Sequence, residues 1–226
     1  MCGRFNIGDP ESVEKQLETL GVDPIKISPR YNIAPTSPVP VVIEEEGRRQ
    51  LHEMRWWLTP SWSKEINTKY SMFNARSENL NTSRAFKGPY RHHRGIIPAT
   101  SFIEWKTEQQ KKQPYLIKPK RGVLALACIY DVWEHDTSYL ESCAIVTRTS
   151  PESFQAVHDR FPVILAHDQI DLWLDTKREI ETIKPIFNAP FKKAFEISKL
   201  DSQVNRSSFQ GIEAEQPIDE PKIIMS

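Results

Sequence analysis

A cysteine at the second position is the residue with the most distinctive chemistry in this sequence. Cys2 directly follows Met1. An initiator methionine is normally removed when the next side chain is small, so we expect Cys2 to become the N-terminal residue. Its α-amine would then have a pKa of roughly 7.7–8.0 and be partly unprotonated at neutral pH, unlike lysine near 10.4. Such an amine can attack an aldehyde to form a Schiff base, and the adjacent thiol can close a five-membered thiazolidine ring.

Three further polar residues could take part in acid–base or binding chemistry. Glu104 stands between apolar neighbours, where partial burial raises the pKa of a carboxyl group toward acid–base use. His158 lies at the expected end of a short helix and can act as a proton shuttle. Asn74 belongs to a short stretch that brings together an amide, a guanidinium and a carboxylate. Each signal is weak alone, and a lone histidine is more often structural.

Basic and aromatic residues are concentrated locally, although the chain as a whole is neutral. Thirty basic residues balance thirty acidic ones, so net charge does not indicate a polyanionic partner. Two runs, residues 84–94 and 106–121, are nevertheless strongly basic, and residues 56–62 contain three of the six tryptophans. Aromatic rings beside basic runs suit stacking on the bases of single-stranded nucleic acid. Solvated lysines on loops are the alternative interpretation.

The remaining composition limits the class of protein. The three cysteines show no disulfide framework and no zinc-binding pattern, so we expect neither a metal nor another cofactor. The N-terminal sequence lacks the apolar region of a signal peptide, and no apolar run approaches membrane-spanning length. We therefore predict a cytoplasmic protein, nuclear if its host has a nucleus, with no membrane partner.

The elements that must position these residues are mostly short strands. Asp9 and Pro10 predict the start of a helix that ends at Gly21. Residues 39–43 and 51–57 predict a hairpin around a polar turn, and residues 30–36 read as a proline-ended loop. Further strands are predicted at residues 95–98, 115–117, 123–130, 140–146 and 162–166. We predict one α+β domain over residues 1–226 with a mainly antiparallel sheet core and an irregular polar tail from about residue 208.

Several motifs together resemble the SRAP family (SOS-response-associated peptidase), whose members crosslink to abasic sites in single-stranded DNA. They occur in family order over roughly residues 2–166. The matching pieces are Cys2-Gly3-Arg4-Phe5, residues 30–36, Arg55-Trp56-Trp57-Leu58-Thr59-Pro60, Asn74-Ala75-Arg76-Ser77-Glu78, Ile97-Pro98-Ala99, residues 102–106 and residues 158–165. The resemblance implies a barrel-like β-sheet core with short flanking helices.

The resemblance also implies roles for individual residues. Cys2 would supply the amine and thiol that join the opened sugar of an abasic site. Asn74 would orient the N-terminus and the sugar, Glu104 would sense the site and move protons, and His158 would stabilise the opened sugar and shuttle protons. The DNA-binding residues implied are Arg76 and Arg84 for phosphates, and Trp62 and Trp105 for stacking on bases or wedging between them. The partner would be single-stranded DNA containing abasic sites, bound by a monomer that associates with the nucleoid during DNA damage if bacterial.

Some positions depart from the family pattern, and two other functions remain open. Trp57 stands where the family usually has glycine, Ser101 and Ile103 replace glycine and tyrosine, and Phe161 replaces a commoner methionine. The first alternative is a thiol peptidase that uses Cys2, His158 and Glu104. The second is a non-catalytic single-stranded-DNA-binding module, which leaves the four reactive residues unexplained.

Overall fold

The computed structural model describes residues 2–190 and 193–225, so Met1 lies outside the described residues. The predicted N-terminal helix is confirmed as α1 (Pro10–Thr19). The Asp9 side chain caps it by accepting a backbone N–H from its first turn. Val13 and Leu17 face the core, and Gly21 follows the helix with a left-handed φ of +79°.

Thirteen strands and four more short α-helices complete the described chain. The other helices are α2 (Lys87–His92), α3 (Glu152–Gln155), α4 (His167–Leu174) and α5 (Ile180–Ile183). The first six strands are β1 (Arg4–Ile7), β2 (Arg30–Ile33), β3 (Pro38–Glu45), β4 (Arg48–Arg55), β5 (Asn74–Arg76) and β6 (Arg94–Ala99). The remaining strands are β7 (Ser101–Glu108), β8 (Lys111–Pro119), β9 (Leu124–His135), β10 (Ser138–Thr149), β11 (Arg160–Pro162), β12 (Ala194–Lys199) and β13 (Lys222–Met225).

The strands form two sheets packed on a shared core. In one, β10, β4, β3, β6 and β9 follow one another, and β9 pairs again with β10, which closes a five-stranded barrel. β11 extends this sheet from β10, and β5 also pairs with β10. The second sheet has six strands in the order β13-β12-β8-β7-β1-β2. Nearly all pairs are antiparallel, the exceptions being β10 with β4 and with β5. The predicted α+β fold with a barrel-like, mainly antiparallel core is confirmed.

The predicted hairpin is longer than expected, because the polar turn is itself part of the strands. Cross-strand pairs of opposite charge, Glu45 with Arg48 and Glu44 with Arg49, continue the ladder. Only two residues remain in the turn, and Gly47 adopts a φ of +77° there. At the other end β4 stops at Arg55, two residues before the predicted limit.

Two other segments differ from the sequence-based expectation. Residues 30–33, predicted as part of a loop, form β2, because they complete the edge of the second sheet by pairing with β1. The strand predicted at residues 162–166 ends at Pro162. Beyond it, Ile164 makes only an isolated bridge to Leu126. Both errors concern segments whose conformation is set by distant strands.

The C-terminal segment, expected to be irregular from about residue 208, contains regular elements in the structure. A 3₁₀ turn spans Ile212–Glu215, and β13 pairs with β12 at the edge of the six-stranded sheet. The sequence gives little sign of them because each spans only four residues. In the described part of the chain, no helix is long and apolar enough to cross a membrane.

Candidate functional site

Cys2 lies just before β1, which runs antiparallel to β7. The register pairs Arg4 with Ile103, so one step further along the two strands Gly3 falls opposite Glu104. Cys2 is fully buried, and its Sγ lies 3.9 Å from the carbonyl oxygen of Arg4. Burial raises the pKa of the Cys2 thiol well above its usual range, which keeps the sulfur protonated. The strand pairing thus brings the start of the chain to a buried carboxyl group.

Glu104 is that carboxyl group, and its side chain is only 2% exposed. Side chains alternate along β7, so Glu104 shares the face of Phe102, which belongs to the main core. Burial raises the pKa of Glu104 from 4.5 to about 7. At neutral pH this carboxyl group is present in both protonation states, which suits it to give or take a proton.

His158 faces Glu104 from the loop between α3 and β11. Its Nε2 lies 4.0 Å from Glu104 Oε2, and its side chain is 27% exposed. Its Nδ1 lies 2.9 Å from the backbone N–H of Arg160 and 2.8 Å from Asp159 Oδ1. The two contacts compete, since Nδ1 accepts the first only when unprotonated and donates to the second only when protonated. Burial lowers the pKa of His158, so we assign a neutral ring with its proton on Nε2, toward Glu104.

Asn74 is hydrogen-bonded to the backbone of Cys2. It is 6% exposed, and its Nδ2 donates a hydrogen bond of 2.8 Å to the carbonyl oxygen of Cys2. Among the described residues its Oδ1 has no hydrogen-bond partner. A buried, unsatisfied amide oxygen is costly, so it is a natural acceptor for a hydroxyl or amine brought by a substrate.

Strand β10 explains how residues so distant in sequence meet. β5 runs parallel to it, with Asn74 paired to Ile145, and β11 runs antiparallel to it, with Arg160 paired to Thr149. β10 therefore positions Asn74 and the His158 loop, while β1 and β7 bring Cys2 and Glu104. The structure brings the four predicted reactive residues to one place.

An ion pair that the sequence does not predict fixes the loop that carries His158. Arg160 Nη1 and Nη2 donate to the two carboxylate oxygens of Glu78 at 2.8 and 3.0 Å, a bidentate arrangement. Arg160 Nη2 also donates to the carbonyl oxygen of Thr147 at 2.8 Å. Arg160 belongs to the same motif as His158, and Glu78 to the same motif as Asn74. A single sequence does not show that Arg160 and Glu78 contact each other.

Trp62 and Arg84, predicted to bind DNA, contact each other. The guanidinium carbon of Arg84 lies 4.2 Å from the centre of a Trp62 ring, and Trp62 is 50% exposed. The turn that carries Trp62 is tied to β9, because Asp131 Oδ2 accepts the backbone N–H of Ser61 at 2.8 Å. This contact holds the exposed indole ring of Trp62 beside the Arg84 cation, as a flat surface (a shelf) on which another ring can stack.

The other two predicted DNA-binding residues have different surroundings. Arg76 is exposed at the end of β5, two residues beyond Asn74. Trp105 is half-buried, and its Nε1 donates a hydrogen bond of 2.6 Å to Asn205 Oδ1. The Arg4 guanidinium also lies 5.7 Å from its ring centre. Trp105 is therefore less available for stacking on a base than Trp62.

Within residues 2–190 and 193–225, no group of three or more His, Cys, Asp or Glu side chains is placed to hold a metal ion. The arrangement at Cys2 is one of acid–base and nucleophilic groups: a buried thiol, a carboxyl group titrating near neutrality, a neutral imidazole and an oriented amide.

Comparison with known proteins gives a consistent family assignment. The family model described as SOS response associated peptidase (SRAP) matches residues 1–207. The abasic site processing protein YoaM of Bacillus subtilis is 33% identical over 95% of this chain and 99% of its own length. The abasic site processing protein YedK of Escherichia coli is 32% identical over 77% of this chain and 79% of its own.

Solved structures agree at the level of the fold. A protein from Bordetella bronchiseptica superposes with a TM-score of 0.72 at 17% identity, over 88% of this chain and all of that one. A protein from Bacteroides thetaiotaomicron gives a TM-score of 0.71 at 21% identity, over 80% and 82% of the two chains. The family match, the identity to these relatives and the shared fold together show that the chain belongs to the SOS response associated peptidase (SRAP) family.

Proposed function

We propose that this protein recognises abasic sites in single-stranded DNA and joins them covalently through Cys2, once Met1 has been removed. The observation that carries the proposal is the placement of Cys2 against Asn74, with Glu104 alongside and His158 behind it. The names of its relatives as abasic site processing proteins support the same substrate.

The reaction begins with opening of the sugar. An abasic deoxyribose is mostly a closed hemiacetal, and only the scarce open form has an aldehyde. A carboxyl group with a pKa of about 7 can protonate the ring oxygen at neutral pH, and the carboxylate that this leaves can take the proton of the C1 hydroxyl. Glu104 is the group for both transfers, and the Nε2–H of His158 stabilises its carboxylate form between them.

Two bonds to the sugar then form in order. The Cys2 amine attacks the aldehyde carbon, and the carbinolamine loses water to give an imine. The Cys2 sulfur adds to the imine carbon and the thiol proton passes to nitrogen, which closes a thiazolidine. The overall change is aldehyde plus aminothiol to thiazolidine plus one water. Burial of the thiol supports this order, because a protonated sulfur is a poor first nucleophile.

The product protects the lesion. An imine at C1 promotes elimination of the 3′ phosphate, a lyase-type strand break, and ring closure by sulfur removes the imine. The thiazolidine therefore shields the abasic site as a DNA–protein crosslink. All four reactive groups come from one chain, which supports action as a monomer.

Selection of single-stranded DNA rests on the surface beside the site. Trp62 offers an exposed ring for an unpaired base, and the cations of Arg84, beside that ring, and of exposed Arg76, two residues beyond Asn74, can bind phosphates. Bases paired and stacked in a duplex cannot occupy such a shelf.

A denaturing gel tests the proposal. The protein with Met1 removed is incubated with single-stranded DNA containing one abasic site, with the same strand bearing an intact base, and with duplex DNA. We expect a band that survives denaturation only with the abasic single strand, absent in Cys2→Ala and kept in Cys143→Ala as the thiol control. Binding that disappears on denaturation would mean a non-catalytic module, and cleavage of added peptides would mean a peptidase.

A further inference from the structure

A segment near the C-terminus, residues 202–215, covers the face of the six-stranded sheet that points away from the main core. Phe102 of β7 belongs to the main core, whereas the next residue, Ile103, lies in a separate apolar cluster. In that cluster Val204 and Ala214 of the segment are buried against Ile103 and Leu116. The segment therefore packs directly behind the strand that carries Glu104.

A carboxylate from this segment reaches into the β1–β7 strand pair. Glu215 Oε1 accepts hydrogen bonds from Thr100 Oγ1 at 2.9 Å and from Ser101 Oγ at 2.8 Å. Hydrogen bonds from two hydroxyls to one ionised oxygen are of the stronger, charge-assisted kind. The carboxylate lies against Gly8, where a Cβ atom would overlap it. The site is thus shaped for this side chain.

Two fully buried asparagines extend the contact to β1 and β2. Asn6 Nδ2 donates to Ser101 Oγ at 2.9 Å and to the carbonyl oxygen of Ala214 at 3.2 Å. Asn6 Oδ1 accepts the backbone N–H of Asn32 at 2.7 Å. The side-chain Nδ2 of Asn32 in turn lies 2.8 to 3.1 Å from three backbone carbonyl oxygens of the segment, those of Val204, Arg206 and Phe209.

This network lies at an irregular point of the sheet. The register of β1 against β2 shifts between Phe5 and Ile7, so the ladder is interrupted at Asn6. On the other side Asn6 pairs with Ser101, and the same register brings Gly3 opposite Glu104. A slip of one residue would move the start of the chain by about 3.3 Å and turn its side chains to the other face.

We propose that residues 202–215 form a strap that fixes the register of β1 against β7, and so holds Cys2 beside Glu104. The positioning residues are Glu215 of the strap and the two residues it links, Asn6 of β1 and Ser101 of β7. The inference rests on the proposed function for its effect on crosslinking, but the register itself can be measured without that reaction. Much of the strap lies beyond the residues matched by the family model, which end at 207.

The test compares Glu215→Ala with Glu213→Ala, an exposed carboxylate of the same turn. Both are assayed at a temperature at which circular dichroism shows them folded. Three quantities are measured: the crosslinking rate constant at saturating abasic single-stranded DNA, the Kd for a strand with an intact base, and hydrogen exchange of the β1 amides.

For Glu215→Ala we expect the crosslinking rate constant to fall by about ten- to a hundredfold, the cost of misplacing a reacting group by roughly an ångström. The Kd should stay within about twofold, β1 amides should exchange at least about tenfold faster, and Glu213→Ala should match wild type. Glu215→Gln, which keeps an acceptor oxygen, should recover part of the rate. Gly8→Ala, which displaces the carboxylate without changing it, should reproduce the loss.

Several results would overturn the strap. It fails if folded Glu215→Ala crosslinks at the wild-type rate, or if its β1 amides exchange as slowly as those of Glu213→Ala. A wild-type protein that forms no adduct refutes the proposed function instead. In that case hydrogen exchange of the β1 amides is the measurement that tests whether the strap fixes the register of β1.

Discussion

Replacing Glu104 by glutamine should change how the stability of the protein depends on pH. Burial raises the pKa of Glu104 from 4.5 to about 7, so the folded state holds this proton more tightly than the unfolded chain. The wild-type protein should therefore lose stability as pH rises from about 4.5 to about 7, and change little above that on account of this group. Glutamine has the same shape and carries no charge at any pH.

The size of the effect follows from the pKa. Each pKa unit corresponds to about 1.4 kcal/mol, so the charged carboxylate costs the folded state up to about 3 kcal/mol at pH 8. The free energy of unfolding of Glu104→Gln, relative to wild type, should thus rise by up to that amount between pH 4 and pH 8. The side chain is only 2% exposed, so solvent screening reduces the value little.

Urea denaturation of both proteins at pH 4, 5, 6, 7 and 8 measures this difference directly. Glu213→Gln at the exposed C-terminal turn is the matched control and should stay within about 0.5 kcal/mol of wild type. A difference between Glu104→Gln and wild type that does not change with pH, or that shrinks toward pH 8, would show that the pKa of Glu104 is not raised and that the group is ionised at neutral pH. The proton-donor role assigned to it would then be untenable.

Three other substitutions test separate parts of the site. Asn74→Ala removes the hydrogen bond to Cys2 and should slow crosslinking at saturating DNA by at least about tenfold, measured in single-turnover gels. Trp62→Ala removes the exposed shelf and should weaken binding of single-stranded DNA by about tenfold at constant salt, measured by fluorescence anisotropy. Glu78→Gln should lower the free energy of unfolding at pH 7 by at most about 1 kcal/mol, since Glu78 is half-exposed. Arg160 holds the pKa of Glu78 below 4.5, so this loss should disappear as pH falls through that lowered pKa.

Each of these predictions has a result that contradicts it. Unchanged crosslinking by Asn74→Ala would mean that Cys2 is positioned by its strand alone. Unchanged DNA affinity of Trp62→Ala would remove the shelf from the proposed binding surface. A stability loss in Glu78→Gln that does not shrink as the pH is lowered from 7 would show that the side chain acts through packing and not through its charge.

The sequence predicted elements whose signals are local. The first helix has its capping aspartate, its proline and its final glycine within one short stretch, and the long strands β9 and β10 each contain an apolar run. The start of β1 has no such signal, since Arg4–Ile7 spans only four residues and becomes a strand by pairing with β7. The same holds for β2 and for the C-terminal strap, whose partners lie up to 208 residues away in the chain.

The candidate site likewise combines features with a local sequence signal and contacts that only the fold creates. The sequence indicated the residue types, because Cys2 and Glu104 carry their chemistry with them. It gave no reason to pair Arg160 with Glu78, or to seat Glu215 against Gly8, since such contacts depend on the register of strands far apart in sequence. The apolar neighbours of Glu104 predicted partial burial, but not that its side chain is only 2% exposed, and it is this burial that raises its pKa.

The most direct test of the account is the mass of the N-terminal peptide after reaction with abasic single-stranded DNA. The protein is denatured, the DNA is digested to the attached sugar fragment, and the protein is cleaved into peptides for mass spectrometry. The account predicts a peptide that begins at Cys2, lacks Met1 and carries the sugar fragment less one water on residue 2. An unmodified N-terminal peptide, or an adduct on any other residue, would contradict it.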